Sequence, residues 1–291
     1  MSEPARPRIR PFKINQLAPN ILTVLALCAG LTSIRLALLD RFEQAAAAIV
    51  VAAVLDGLDG RLARFLKCAT KFGAELDSLS DFVSFGVAPA ILLYLWSLRA
   101  IGGVGWGVVL IFAVCCALRL ARFNTALEDP SRPSWQYNFF TGVPAPAGAM
   151  ALLLFVFISF DAGDTFWRTS VLNGIWGLTV AFLMVSRLPS FSFKKLRVPR
   201  DYVLPLLLVV AAVAALFVSF PWLTLTGFII LYLLGLPFAY RSYGRLRREH
   251  LRRPAEATPA APAQSHVAPP PFAVPPPAAP LSPPQDSAAD P

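Results

Sequence analysis

The sequence predicts an all-α polytopic membrane bundle of about eight transmembrane helices, followed by a disordered C-terminal tail. Three observations carry that class. Of 291 residues, 56% are hydrophobic and only 15% are charged, whereas soluble domains run at about 25% charged. Mean hydropathy is +0.59. The apolar residues also come in long uncharged runs, which excludes both an ordinary soluble domain and wholesale disorder.

Each run is then measured against the roughly 20 residues a helix needs to cross a bilayer. Ile14 to Ile34 is the first span. Phe42 to about Leu66 is the second, with a clean apolar half followed by Asp56, Asp59, Arg61 and Arg64. Phe82–Leu98 and Ala100–Leu118 are the third and fourth. The fifth is placed at Val143–Phe160, because Tyr137, Asn138 and the Pro144/Pro146 pair shorten the uncharged stretch before it. Thr169–Ser186 is the sixth, and Tyr202–Tyr240 is long enough for two more, broken at Phe220-Pro221-Trp222. From Pro254 to Pro291, 13 of 38 residues are proline. That composition predicts a disordered extension. The expected organisation is a basic N-tail (1–13), a six-helix catalytic membrane core (14–200), two additional helices (201–240), and a basic, then Pro/Ala-rich tail (241–291).

Orientation follows from the basic residues. Placing the N-terminus inside puts Arg35, Arg41, Arg99 and Arg168 on the outer face and the other 22 of the 26 on the inner. The positive-inside rule therefore predicts a multi-pass protein of the cell membrane, with both termini and the active site cytoplasmic. The net charge of +9 becomes a surface suited to anionic headgroups, not a nucleic-acid footprint. Leu25-Ala26-Leu27-Cys28 resembles a lipoprotein cleavage site only faintly, since Leu27 is too large, and the first run is read as a retained helix. Cys28, Cys68, Cys115 and Cys116 have no metal-ligand spacing. His250 and His266 lie in or beside the tail, which removes histidine as a catalytic base.

The chemistry concentrates between Leu55 and Pro89. Five of the 17 acidic residues fall in the 26 positions from Asp56 to Asp81. Carboxylates at membrane depth are costly and signal function by default. Asp56, Asp59, Gly60, Ala63 and Arg64 share one helical stripe, and Gly73, Asp77 and Asp81 share another on the next helix. Two antiparallel helices with a short link aim four aspartates at one point. Capping, or pairing with Arg61, Arg64, Lys67 or Lys71, explains one such aspartate but not four in register. An all-oxygen donor set suits two divalent cations, Mg²⁺ or Mn²⁺, and two-metal clamps serve phosphoryl chemistry. Gly60 leaves room for a nucleotide and Arg64 offers a fork for phosphate.

The pattern Asp56-x2-Asp59-Gly60-x2-Ala63-Arg64-x8-Gly73-x3-Asp77-x3-Asp81 resembles the CDP-alcohol phosphotransferase signature at every fixed position. Further blocks are similar to the integral-membrane phosphatidylserine synthase branch of that family. They are Pro19–Thr23, Arg119–Asn124, Gly142–Pro146, and Leu183–Pro189 with Ser190–Lys194. The resemblance runs from about residue 15 to 240 and implies a six-span core, a homodimer, and phospholipid biosynthesis. The implied reaction moves the phosphatidyl group from CDP-diacylglycerol to L-serine and releases CMP. By the same carry-over Asp56 and Asp77 bridge both metals, Asp59 holds one, and Asp81 holds the other and takes the acceptor's proton. Asn20 to Thr23, Gly60, Arg64 and Thr70 fall at positions that bind the CDP moiety.

The acceptor is less directly encoded. A serine carboxylate wants a cation near the metals, and Arg119, Arg122, Arg187 and Lys194 are the candidates at the inner ends of spans 4 and 6. Positive-inside anchoring explains them equally well, and glycerol phosphate or inositol phosphate would want the same charge. From another class, a divalent-cation transporter would also use intramembrane aspartates, but near the midplane on broken helices. A scaffold protein has no use for this register.

Overall fold

The computed structural model describes residues 17–66, 70–127, 139–186, 189–191 and 202–252. The chain divides into two units, Met1–Arg247 and Arg248–Pro291, and the helical bundle with its acidic cluster belongs to the first. The N-tail, the segment holding Arg187 and Lys194, and the expected disorder after Arg252 lie outside the described residues.

The architecture is helical, as the composition demands. Helices α1 (Leu17–Leu38), α2 (Phe42–Phe65) and α3 (Lys71–Asp81) come first; α3 continues through a π turn at Phe82–Val87 into α4 (Ala88–Trp96). Then follow α5 (Gly102–Leu127), α6 (Ala145–Leu152), α7 (Leu154–Ala162) and the single turn α8 (Asp164–Trp167). Helices α9 (Ser170–Val185), α10 (Val203–Ser219) and α11 (Pro221–Arg252) complete the described residues. Where they are described, the stretches expected to span are largely helical, and α10 gives way to α11 at Pro221 as the Phe220-Pro221-Trp222 break predicts.

Among the described residues, three helical stretches are long and apolar enough to cross a membrane: Leu17–Leu38, Lys71–Trp96 and Leu98–Thr125. The α6–α7 pair, bent by 41°, makes a fourth if taken as one span. Ser170–Val185, Leu204–Ser219 and Pro221–Pro237 are apolar but shorter. Helix α2 is not in this set, since its last turns carry Asp56, Asp59, Arg61 and Arg64. The chain is thus an integral membrane protein by its apolar helices.

Two features depart from the sequence reading. Phe139–Thr141 (β1) and Pro189–Phe191 (β2) form an antiparallel ladder, Phe140 opposite Ser190, so the chain is not strictly all-α. Helix α11 also runs past Tyr240 to Arg252, because Arg and Leu are good helix formers and nothing after Pro237 breaks the backbone.

The core lies among α1, α2, α4, α5, α6 and α9. Small side chains let α1 and α2 approach closely: Ala26, Ala37, Ala45, Ala46 and Ala52 are all buried. Larger ones (Phe85, Leu92, Phe112, Leu152, Phe157, Met184) fill the centre. Gly30 sits where a Cβ would fall 2.5 Å from Ser84 Oγ and 2.9 Å from Ser84 Cα, so only glycine lets α1 pack on the π turn. Polar ties fix that contact in register: Ser80 Oγ donates to Thr23 O at 3.1 Å and Ser84 Oγ to Ala26 O at 3.2 Å. Far from these, Trp222 of α11 stacks on Phe157 and donates to Glu43 Oε1 of α2 at 2.9 Å.

Candidate active site

The site is assembled by three helices. Helix α2 presents Asp56 and Asp59 one turn apart, before its end at Phe65. Helix α3 starts where Thr70, in extended conformation, accepts a hydrogen bond on its hydroxyl from Gly73 N at 3.0 Å. This N-cap satisfies one orphan donor and sets the phase of Asp77 and Asp81 seven and eleven residues on. The π turn follows directly on Asp81, a placement frequent at functional sites.

Carboxylate oxygens of Asp56, Asp59 and Asp77 all lie within 4.8 Å of one another. Asp81 joins them, its side chain in hydrogen-bonding contact with that of Asp56 and within electrostatic reach of Asp77. The four aspartates of the sequence stripe therefore do converge. At an effective dielectric of about 20, two carboxylates at that separation repel by roughly 3 kcal/mol. Three such pairs approach the whole stability of a typical domain, so the cluster must be relieved by protons or by cations. Hard oxygens at this spacing fit divalent ions. Arg119 of α5 faces Asp81 and Asp56 and supplies one positive charge; its Nε is buried, with no hydrogen-bond partner among the described residues.

Around the carboxylates, α1 provides a second layer. Thr23 Oγ1, buried, donates to Asp59 Oδ2 at 2.7 Å, with Pro19 O also in reach at 3.1 Å. Asp59 is itself 4% exposed, so this bond orients a carboxylate that water cannot. Asn20 packs on Gly73: a Cβ there would lie 2.8 Å from Asn20 Oδ1 and 3.1 Å from Thr70 Oγ1. Asn20, Thr23, Thr70 and Gly73 thus form one flank of the aspartate cluster. Gly60 is exposed, and beyond its own helix backbone no described atom comes within 4 Å of where a Cβ would stand. Arg64 is exposed beside it, its Nε donating to Gly60 O at 2.9 Å.

Of the four acceptor candidates, two are described. Arg119 faces the carboxylates. Arg122 reaches the end of α9 instead, donating to Val185 O at 2.8 Å and to Ser186 O at 3.4 Å. Residues to which the sequence reading gave no site role also meet the site. Asn124 Nδ2 donates to Ser78 Oγ at 2.8 Å, which ties α5 to the turn carrying Asp77. Tyr232 of α11 comes within electrostatic reach of Arg119. Asn124 closes the Arg119–Asn124 block and so had a signal; Tyr232 sits in an uninterrupted apolar run and had none.

Comparison with known proteins adds the chemistry that this geometry accommodates. The family description CDP-alcohol phosphatidyltransferase matches residues 16–186, and a second, CDP-alcohol phosphatidyltransferase 2, matches residues 201–237. A protein of Mycobacterium tuberculosis named CDP-diacylglycerol–serine O-phosphatidyltransferase is 42% identical over 237 residues, covering 81% of this chain and 82% of its own. The protein of the same name from Mycobacterium leprae is 42% identical over 235 residues, 81% of this chain and 78% of its own. That from Helicobacter pylori is 37% identical over 196 residues, 64% and 77% respectively.

Proposed function

The chain belongs to the CDP-alcohol phosphatidyltransferase family, and from that premise we propose that it transfers the phosphatidyl group of CDP-diacylglycerol to L-serine. The products are phosphatidylserine and CMP. One observation carries the reading: the oxygens of Asp56, Asp59 and Asp77 converge within 4.8 Å, with Asp81 against Asp56. The names borne by the relatives support serine as the acceptor.

In this reading Asp56, Asp59, Asp77 and Asp81 would together hold two divalent cations, Mg²⁺ or Mn²⁺. Such cations would supply charge neutralisation for the pyrophosphate and a lowered pKa for the acceptor hydroxyl. The chain's own groups do the rest. Thr23 keeps Asp59 oriented. Asn20, Thr23, Thr70, Gly60 and Arg64 receive the CDP moiety, on the open side left by Gly60. Asp81 takes the proton of the serine hydroxyl as its oxygen bonds to the diacylglycerol-bearing phosphorus. The bond from that phosphorus to the bridging oxygen breaks, and CMP leaves with the electron pair. Arg119, set beside Asp81, receives the serine carboxylate, with Arg122, Arg187 and Lys194 as the further cations of that side.

Eight spans, both termini cytoplasmic, and a homodimer complete the proposal; the distribution of basic residues supports the orientation. The test is acceptor-dependent CMP release. With CDP-diacylglycerol and Mg²⁺ or Mn²⁺, L-serine should be converted, and glycerol 3-phosphate and inositol phosphate left nearly untouched. Preference for a phosphorylated acceptor overturns serine and spares the reaction class; no CMP with any acceptor overturns both.

A further inference from the structure

A cleft lies at the end of the bundle away from the aspartates. Trp96 closes α4 fifteen residues after Asp81, and Phe42 opens α2 fourteen residues before Asp56, so this end is about 20 Å from the aspartates at 1.5 Å per residue. The cleft has a volume of about 470 Å³ and is lined by Trp96, Ser97, Arg99, Arg168 and Ser170, among others. Among the described residues, no acidic side chain lines it. Its neighbour, which shares Trp96, holds Asp40 and Glu43 against the one cation Arg41 and suits an anion less well.

In the orientation proposed above, on which this inference rests, cations are scarce on this side: Arg35, Arg41, Arg99 and Arg168. Two of the four meet in one cleft. Arg168 is also held in place. Its Nε donates to Trp96 O at 2.7 Å, and its guanidinium lies 5.8 Å from the Phe42 ring centroid and 5.9 Å from that of Trp96. Ser97 Oγ donates to Arg168 O at 2.7 Å and Ser170 Oγ to Ser97 O at 2.7 Å. Asn173, fully buried, donates to Trp167 O at 2.7 Å and Thr169 O at 2.9 Å beneath them. This network fixes the cleft before any ligand arrives, which lowers the ordering cost of binding.

The surroundings narrow the ligand. The cleft sits where apolar helices end and tryptophans gather, at headgroup level. The helices that begin just after its lining residues carry exposed apolar side chains: Val104 and Trp106 early in α5, Val171 and Ile175 early in α9. A phosphate between the arginines with acyl chains against those residues satisfies both halves of the surface. We propose that this cleft binds the phosphate of an anionic phospholipid in the leaflet opposite the active site, with Arg99 and Arg168 as its cations and Trp96 as its wall.

Native mass spectrometry of the full chain in neutral detergent, titrated with dioctanoyl-phosphatidylglycerol, tests it. Arg99→Gln should weaken one phosphatidylglycerol site by roughly tenfold, the loss of one charge-assisted contact, and leave CMP release unchanged. Arg168→Gln should do the same where it folds; Arg99, at the surface, keeps the test open if it does not. Dioctanoyl-phosphatidylcholine should not be retained at that site. Equal phosphatidylglycerol binding by wild type and Arg99→Gln, equal retention of phosphatidylcholine, or displacement by millimolar inorganic phosphate would each overturn the proposal.

Discussion

Thr23 of α1 and Asp59 of α2, 36 positions apart, are joined by a buried hydrogen bond of 2.7 Å from hydroxyl to carboxylate. This is the link between the Pro19–Thr23 block and the aspartate cluster. It gives α1 a part in the site beyond packing, because a ligand carboxylate free to rotate holds a cation poorly.

Thr23→Val keeps the shape of the side chain and removes the donor. Losses at such orienting positions run at about 10–100-fold in metal affinity or activity. The variant should therefore need more Mg²⁺ for half-maximal turnover, while Thr23→Ser should restore the wild-type requirement. A Thr23→Val enzyme with an unchanged Mg²⁺ dependence would show that Asp59 needs no partner.

Gly73→Ala tests the contact between α1 and the start of α3. The new methyl would meet Asn20 Oδ1 at 2.8 Å and Thr70 Oγ1 at 3.1 Å. Both must move, and Thr70 must give up part of its cap. A raised KM for CDP-diacylglycerol, with the Mg²⁺ dependence nearly unchanged, is the expected result. Activity measured across CDP-diacylglycerol concentrations checks it, and an unaltered KM would remove Asn20 and Thr70 from the nucleotide side.

How much of the fold and site is legible in the sequence depends on the range of the interaction. The aspartates converge as their spacing requires, since i, i+3 and i, i+4 positions within one helix fix a face without knowledge of the fold. Proline at 221 announces the α10–α11 break for the same local reason. The Thr23–Asp59 bond is not readable, because periodicity says which face a threonine occupies but not which helix it meets. Nor is the π turn, since Phe82–Val87 is apolar almost throughout and fits either register. The β1–β2 ladder escapes because three-residue strands carry too few alternations to separate from loop. Nothing in the run around Leu153 announces the 41° bend there; its nearest prolines, Pro144 and Pro146, lie at the far end of α6.

Arg119 and Arg122 should separate under substitution although they lie one turn apart. Arg122 braces the end of α9 through Val185 O and Ser186 O. Arg122→Ala should cost about 1–3 kcal/mol of stability, read as a lower melting temperature. Arg119 faces the carboxylates instead, so Arg119→Ala should raise the KM for serine more than it lowers the melting temperature. If Arg119→Ala leaves serine KM unchanged, the acceptor's carboxylate is held elsewhere.

The last prediction concerns the division of labour between Asp81 and Asp56, which touch each other in the site. Asp81→Asn preserves size and one acceptor oxygen but removes the proton acceptor and a negative charge. Loss of a general base costs about 10²–10⁴-fold, and that loss should appear in kcat. CDP-diacylglycerol affinity in the presence of metal should change much less, because Asp56, Gly60 and Arg64 remain. Asp56→Asn should behave differently. As one of the three carboxylates within 4.8 Å of one another, it should lose metal affinity and nucleotide binding together. Turnover and CDP-diacylglycerol affinity, measured for each variant at saturating Mg²⁺, separate the two roles. If high Mg²⁺ restores Asp81→Asn fully, Asp81 is a metal ligand alone, and the proton leaves the serine hydroxyl by another group.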